Sequence, residues 1–257
     1  MLESVKTYYQ GMRIASALLA AGLTVAAGPP ASAAPAPREA TQTIAAFYSF
    51  DTAVPGATGT VADVSNHGRT MRIRAADGGA VRFFERAPKL ALLFPARCVP
   101  RAATCARAML ETPHHESLNP GTRRLFFGAR LIGTAGAVGT GANILQKGVN
   151  PGGSQYKLQI GARGKPNCVV AGQAAGEVFL ARSSAPVTDG AWHQVACLRT
   201  GTTLYVYVDG VARGSTAVPA TVTVTNTLPL RLGARNLADR TDRFGGGVDD
   251  VFVTIGG

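Results

Sequence analysis

An all-β fold is the first expectation, and three observations lead to it. Gly, Thr, Val and Ala dominate, with 31 Gly and 15 Pro in the chain, a composition that favours short strands joined by turns. Apolar or alternating stretches recur between turn signals at the regular spacing of a sandwich or barrel. No segment sustains the 3.6-residue periodicity of an amphipathic helix.

The chain opens with an expected export signal over residues 1–33. Arg13 supplies the positive start, Ile14–Gly28 is apolar, and Ala31-Ser32-Ala33 fits a small-x-small cleavage site. The start is either Met1 or Met12, which directly abuts the apolar run. That run ends at Pro29-Pro30, short of the roughly 20 residues a spanning helix needs. No later stretch is long or apolar enough to cross a bilayer, so the expected location is extracellular. Residues 34–43, rich in Pro and Ala, read as a flexible lead-in, and 44–257 as a single domain.

Within that domain the strand signals follow in order. Ala46–Phe50 has period two, and Met71-Arg72-Ile73-Arg74 alternates apolar with charged. Val81–Glu85, Leu90–Phe94, Ala108–Glu111, Arg124–Ile132, Asn143–Gln146, Tyr156–Ile160, Cys168–Val170 and Val178–Ala181 follow. Trp192–Leu198 and Leu204–Val208 flank the short loop Thr200-Gly201-Thr202. Asp209-Gly210 suits a type I′ turn, in which both central residues take positive φ. Leu230–Leu232 and Val248–Val253 close the chain.

Four cysteines remain after cleavage, Cys98, Cys105, Cys168 and Cys197. An even count in an exported chain reads as two disulfides with three possible pairings. Cys98 and Cys105 bracket a short loop containing Pro100, while Cys168 and Cys197 each sit in a strand-like stretch. The expected pairs are therefore 98–105 and 168–197. Cys-x-x-Cys spacing, the mark of a zinc site, is absent.

The formal net charge is +11. Removal of Lys6, Arg13 and Glu3 with the signal leaves 24 cationic against 14 acidic residues, a net +10. A basic exported protein is drawn to polyanions, but the charges are scattered, with no dense run pointing to nucleic acid specifically. Solvated surface charge is the simpler account. The exception is local. Arg72 and Arg74 lie two apart on one strand, share its outer face, and form a candidate ligand-binding stripe that Arg82 would extend.

Three motifs stand in order along the domain. The first is Phe47–Asp51 with Ala62-Asp63-Val64-Ser65-Asn66-His67-Gly68. The second is Asp189-Gly190-Ala191-Trp192-His193 followed by Thr202–Gly210, ending in Val-Asp-Gly. The third is Leu230–Gly233 with Gly246–Val251. Together they resemble the laminin G-like domains of the concanavalin A-like lectin/glucanase superfamily, of the secreted bacterial type. The resemblance spans about residues 44–254. It departs from the family at His67 and in the Cys98–Cys105 loop. It implies a two-sheet antiparallel jelly-roll, with Trp192 packed against the sandwich and His193 turned the other way onto backbone. It also implies that Asp63, Asn66 and Asp249 converge on a calcium ion, whose hard oxygen ligands they would supply. The competing account is that Asp and Asn in turns cap their own backbone.

Catalysis finds little support. Glycoside hydrolysis needs two carboxylates on one bond, yet the Glu-x-Asp-x-x-Glu pattern of the related glucanases is absent and Glu85, Glu111, Glu116 and Glu177 stand apart in sequence. His114-His115-Glu116 lacks the spacing of a helical zinc motif and reads as a polar loop. The expected function is a secreted, non-catalytic, monomeric binding module for extracellular or cell-wall carbohydrate, with an acidic glycan favoured by charge. The alternatives are an adhesive protein-binding domain and, last, a polysaccharide hydrolase or lyase.

Overall fold

A computed structural model of the chain describes residues 42–52, 59–98, 103–238 and 240–256. The expected signal over 1–33 and the lead-in up to residue 41 lie outside the described residues; Gln42 and Thr43 already belong to the first strand.

Sixteen strands appear among the described residues. They are β1 (Gln42–Tyr48), β2 (Thr60–Val61), β3 (Met71–Ala76), β4 (Arg82–Arg86), β5 (Lys89–Leu93) and β6 (Arg107–Thr112). Next come β7 (Arg124–Thr134), β8 (Ala142–Gly148), β9 (Gln155–Ile160), β10 (Pro166–Ala171) and β11 (Val178–Arg182). The last are β12 (Asp189–Thr200), β13 (Thr203–Val208), β14 (Val211–Ala217), β15 (Leu230–Leu232) and β16 (Gly247–Gly256). Apart from single 3-10 turns, helix is confined to one turn, α1 (Ala135–Val138).

These strands form two sheets. The first runs β14-β13-β12-β7-β16-β5-β4, with β1 also paired to β16. The second runs β11-β10-β9-β8-β15-β6-β3-β2. Every pairing between named strands is antiparallel. This is the jelly-roll sandwich that the three motifs imply.

The core lies between the sheets. Alternate residues of each strand face inward, so Leu125, Phe127, Ala129 and Leu131 of β7 meet Leu145 of β8 and Tyr156 and Leu158 of β9 in one buried cluster. Phe127 and Tyr156 bring their rings within 5.0 Å, and the Tyr156 hydroxyl donates to the Leu118 carbonyl. Each such large apolar side chain contributes about 1.5–3 kcal/mol on burial. Cys168 of β10 and Cys197 of β12 are joined across the core, and Cys98 is joined to Cys105, the pairs that strand placement suggests. For the inter-sheet link, which spans 29 residues of sequence, chain entropy gives about 3–4 kcal/mol.

Turn chemistry agrees with the sequence at Asp209-Gly210, where φ is 52° and 78°. Two strands carry no periodic signal. β2 has two residues, and β14 buries almost no side chain along its length. Its ladder to β13 holds it in the sheet.

Candidate functional site

The outer face of the second sheet carries a polar row that crosses its strands. Met71 and Ile73 are buried in the core, so the pleat turns Arg72 and Arg74 outward. Arg72 pairs in register with Glu111 of β6, and Glu111 with Arg231 of β15. Arg231 pairs with Gln146 of β8, and Gln146 with Lys157 of β9. The inward neighbours Leu110, Leu230, Leu232, Leu145 and Leu158 all belong to the core. The row is therefore fixed by the same alternation that builds the sandwich.

Electrostatics along the row are uneven. Glu111 receives the Arg74 guanidinium at 3.0 Å and that of Arg231 at 3.3 Å, so one carboxylate serves two arginines. Arg72 has no ion pair among the described residues. Burial pushes the Lys157 ammonium below its usual range; Asp242 opposes this and Arg235 adds to it. Between the cations, Gln146 is only 3% exposed. Its amide nitrogen donates to the Gly148 carbonyl at 2.7 Å, while its Oε1 has no hydrogen-bond partner among the described residues. Buried polar atoms left unpaired are uncommon and call for an explanation.

Arg231, Gln146 and Lys157 were not legible as members of this site. The expected stripe contained Arg72 and Arg74, and both stand on the face. Arg82 does not extend it along the sheet, because β4 belongs to the other sheet and pairs Arg82 with Leu93.

The residues expected to share a calcium ion each have other partners. Asp63 Oδ1 accepts the N–H groups of Phe47 and Ser65, at 3.0 and 2.9 Å, and Oδ2 accepts that of Arg69 at 3.1 Å. Burial alone would raise its pKa, but these bonds hold the carboxyl below its ordinary value. Asn66 adopts φ 67° in the turn. Asp249 pairs with Arg86 and accepts the N–H of Asp250 at 2.7 Å. Among the described residues no group of three or more His, Cys, Asp or Glu could hold a metal. Backbone N–H groups hold three of the Asp63 acceptor positions, and Arg86 and the Asp250 N–H share those of Asp249.

Trp192 packs on the outside of the first sheet and not in the core. Cys197 points inward to its disulfide, and the register runs unbroken from Trp192 to Cys197, so Trp192 faces out. It stacks on Phe84 at 6.0 Å, with the Arg86 guanidinium 5.5 Å from its ring centre. His193 bonds two carboxylates instead of backbone, Asp209 at 2.8 Å and Asp189 at 3.0 Å. The loop His114-His115-Glu116 splits its roles. His115 Nδ1 caps a 3-10 turn by accepting the Ser117 N–H, while His114 lies between Lys147 and Glu116.

Comparison with known proteins follows the same lines. Residues 133–254 match the family model Laminin_G_3, described as the concanavalin A-like lectin/glucanases superfamily. No curated protein matches the chain in sequence. Among solved structures, the chain resembles domain 4 of AbnA, a GH43 extracellular arabinanase from Geobacillus stearothermophilus, in complex with arabinotriose. The TM-score is 0.61 at 17% identity, covering 85% of this chain and 94% of that one. The binding domain of Paraclostridial Mosquitocidal Protein 1 gives 0.60 at 9% identity, over 83% and 48%. The binding domain of Botulinum Neurotoxin DC in complex with SialylT gives 0.58 at 9%, over 82% and 47%. The chain thus spans about half the length of either toxin binding domain.

Proposed function

Residues 133–254 match the family model of the concanavalin A-like lectin/glucanases superfamily, and from that likeness we propose that the protein is a secreted, non-catalytic binding module for extracellular or cell-wall carbohydrate. The outer face of the second sheet is the surface on which an acidic chain would lie. One observation carries this reading: the register places Arg72, Arg231 and Lys157 in one row, with Glu111 between the first two and Asp242 near the third. Cations presented in a row on a rigid sheet attract polyanions and lose that attraction as salt rises. Two disulfides support an oxidising, extracellular setting. The arabinanase domain that shares this architecture was solved with a sugar bound.

A second reading, a protein-binding adhesive domain, draws on the outer face of the first sheet. There Trp192 and Phe84, each half-buried, stack on the sheet whose strand β5 carries the exposed Leu93.

Retention on immobilised heparin at low and moderate salt separates the two. The double change Arg72→Ser with Arg74→Ser should elute at lower salt than the natural protein while its melting temperature holds. Equal elution of the two proteins would remove the polar row from consideration and leave the adhesive reading in front.

A further inference from the structure

A groove of about 540 Å³ opens among the loops beyond β8 and β9, away from the polar row. Its lining includes Glu116, Asn119, Ser154, Gln173, Thr225 and Asn226, with Gly152 and Gly153 at one side. No aromatic ring and no guanidinium lines it, so it offers neither a stacking platform nor an anion clamp.

The floor is a closed web of hydrogen bonds. Asn226 Nδ2 donates to the Ser154 carbonyl at 3.0 Å, and its backbone N–H donates to Asn119 Oδ1 at 3.3 Å. Ser154 Oγ donates to the Thr225 carbonyl and accepts the Thr225 N–H, at 2.9 and 3.0 Å. Beneath them the Lys147 ammonium, fully buried, donates to Asn226 Oδ1 at 3.1 Å and to the carbonyls of Asn226 and Leu228 at 3.0 and 2.8 Å. Gly148 takes φ 86°, and a Cβ there would collide with the Ser154 carbonyl and the Asn226 amide. Only glycine lets these two segments close into one floor.

The rim is different. Glu116 keeps 76% of its side chain exposed, yet both oxygens are oriented. Oε1 lies 2.9 Å from His114 Nε2, and Oε2 accepts from Asn119 Nδ2 at 3.0 Å. Lys147 Nζ lies 3.2 Å from His114 Nδ1. The Glu116 carboxylate can only accept, so His114 Nε2 carries the proton toward it and Nδ1 faces the ammonium, whose three N–H groups are shared among four acceptors. The chain from Lys147 through His114 therefore aims the carboxylate without covering it. A carboxylate has about four acceptor positions, and two of these are filled. On the same lining, Gln173 is exposed and spends one N–H on the Thr225 carbonyl at 3.1 Å, leaving the other.

We propose that this groove is a subsite for an uncharged sugar unit, whose neighbouring hydroxyls donate to Glu116 and accept from Gln173. A hydroxyl does both at once, which is what an acceptor and a donor lining one groove select. An acidic sugar is turned away by Glu116, so this subsite and the polar row take different ligands. The inference rests on the reading of the protein as a carbohydrate-binding module, not on the acidic face.

Isothermal titration with arabinotriose, xylotriose and maltotriose tests it, with heparin retention run in parallel. At least one of the three neutral sugars should bind the natural protein. Glu116→Gln and Gln173→Ala should each weaken that binding, the first by about tenfold, the loss expected for a hydrogen bond to a charged group. Both should leave heparin retention unchanged, whereas Arg72→Ser with Arg74→Ser should do the reverse. Binding of none of the three sugars, or binding that neither substitution weakens, overturns the subsite. If heparin retention survives in that case, only the groove falls; if retention is absent too, the carbohydrate reading falls with it.

Discussion

His193 Nδ1 on β12 lies 2.8 Å from Asp209 Oδ2, in the turn that joins β13 to β14. Asp209 also accepts the Gln194 N–H through Oδ1 at 2.8 Å, so the carboxylate ties the ring to the hairpin. Burial lowers the imidazole pKa, but the bonds and charges of Asp209 and Asp189 outweigh it and raise the value above the ordinary 6.5. A group with a raised folded-state pKa stabilises fully below its unfolded value and loses that contribution as pH rises through the folded one. The natural protein should therefore lose melting temperature between pH 6 and pH 8 relative to His193→Asn. Because the two aspartates are more than half exposed, the effect should be small and shrink with added salt. A constant gap between the two proteins across that range would contradict it.

Asp63 serves the fold through three backbone N–H groups. Asp63→Ala should cost about 1–3 kcal/mol in urea unfolding, the range for leaving donors without their acceptor. The loss should be the same in EDTA and in excess calcium, and chelation should leave the natural protein's melting temperature in place. A calcium-dependent melting temperature that Asp63→Ala abolishes would restore the metal site.

Asp249 is pushed up to about 6, by burial first and by the Asp250 charge second, against the pull of Arg86. Its contribution to stability is thus greatest below the unfolded carboxyl value and fades as pH rises through 6. Arg86 joins this carboxylate to Trp192, the sole tryptophan. Protonation of Asp249 weakens the ion pair and frees the guanidinium over the ring. Tryptophan fluorescence should therefore titrate with a midpoint near 6. Asp249→Asn should abolish the transition and His193→Asn should keep it. A transition that survives Asp249→Asn belongs to another group.

Much of the fold was legible because period-two alternation is a property of the chain itself. Met71 and Ile73 mark an inner face without reference to any neighbour, and Asp209-Gly210 marks its turn by the φ values those residues tolerate. The disulfides followed because Cys168 and Cys197 sit in strands that must face one core. β14 was not legible, since Val211–Ala217 is held by its ladder to β13 and buries almost nothing. The site was legible only in part. Arg72 reaches Arg231, and Arg231 reaches β8, through pairings between strands distant in sequence, and only the last step, from β8 to β9, is a local hairpin; register between distant strands leaves no mark in the local pattern. Trp192 was misplaced for a related reason. Its side was decided by counting back from Cys197, and its cover, Phe84, comes from a strand at the far edge of the same sheet.

The polar row has a metric consequence. Strands in a sheet lie about 4.8 Å apart, and Arg72, Arg231 and Lys157 occupy every second strand across it. Positive charge therefore recurs at intervals of about 9–10 Å along a line perpendicular to the strands. The sheet acts as a ruler. Its graduations are set by backbone hydrogen bonding and so cannot stretch to suit a guest. A linear polyanion whose negative groups repeat at that interval meets each cation in turn, while one with a shorter or longer repeat falls out of step by the third. Selection among acidic chains would then depend on the spacing of charge more than on its amount.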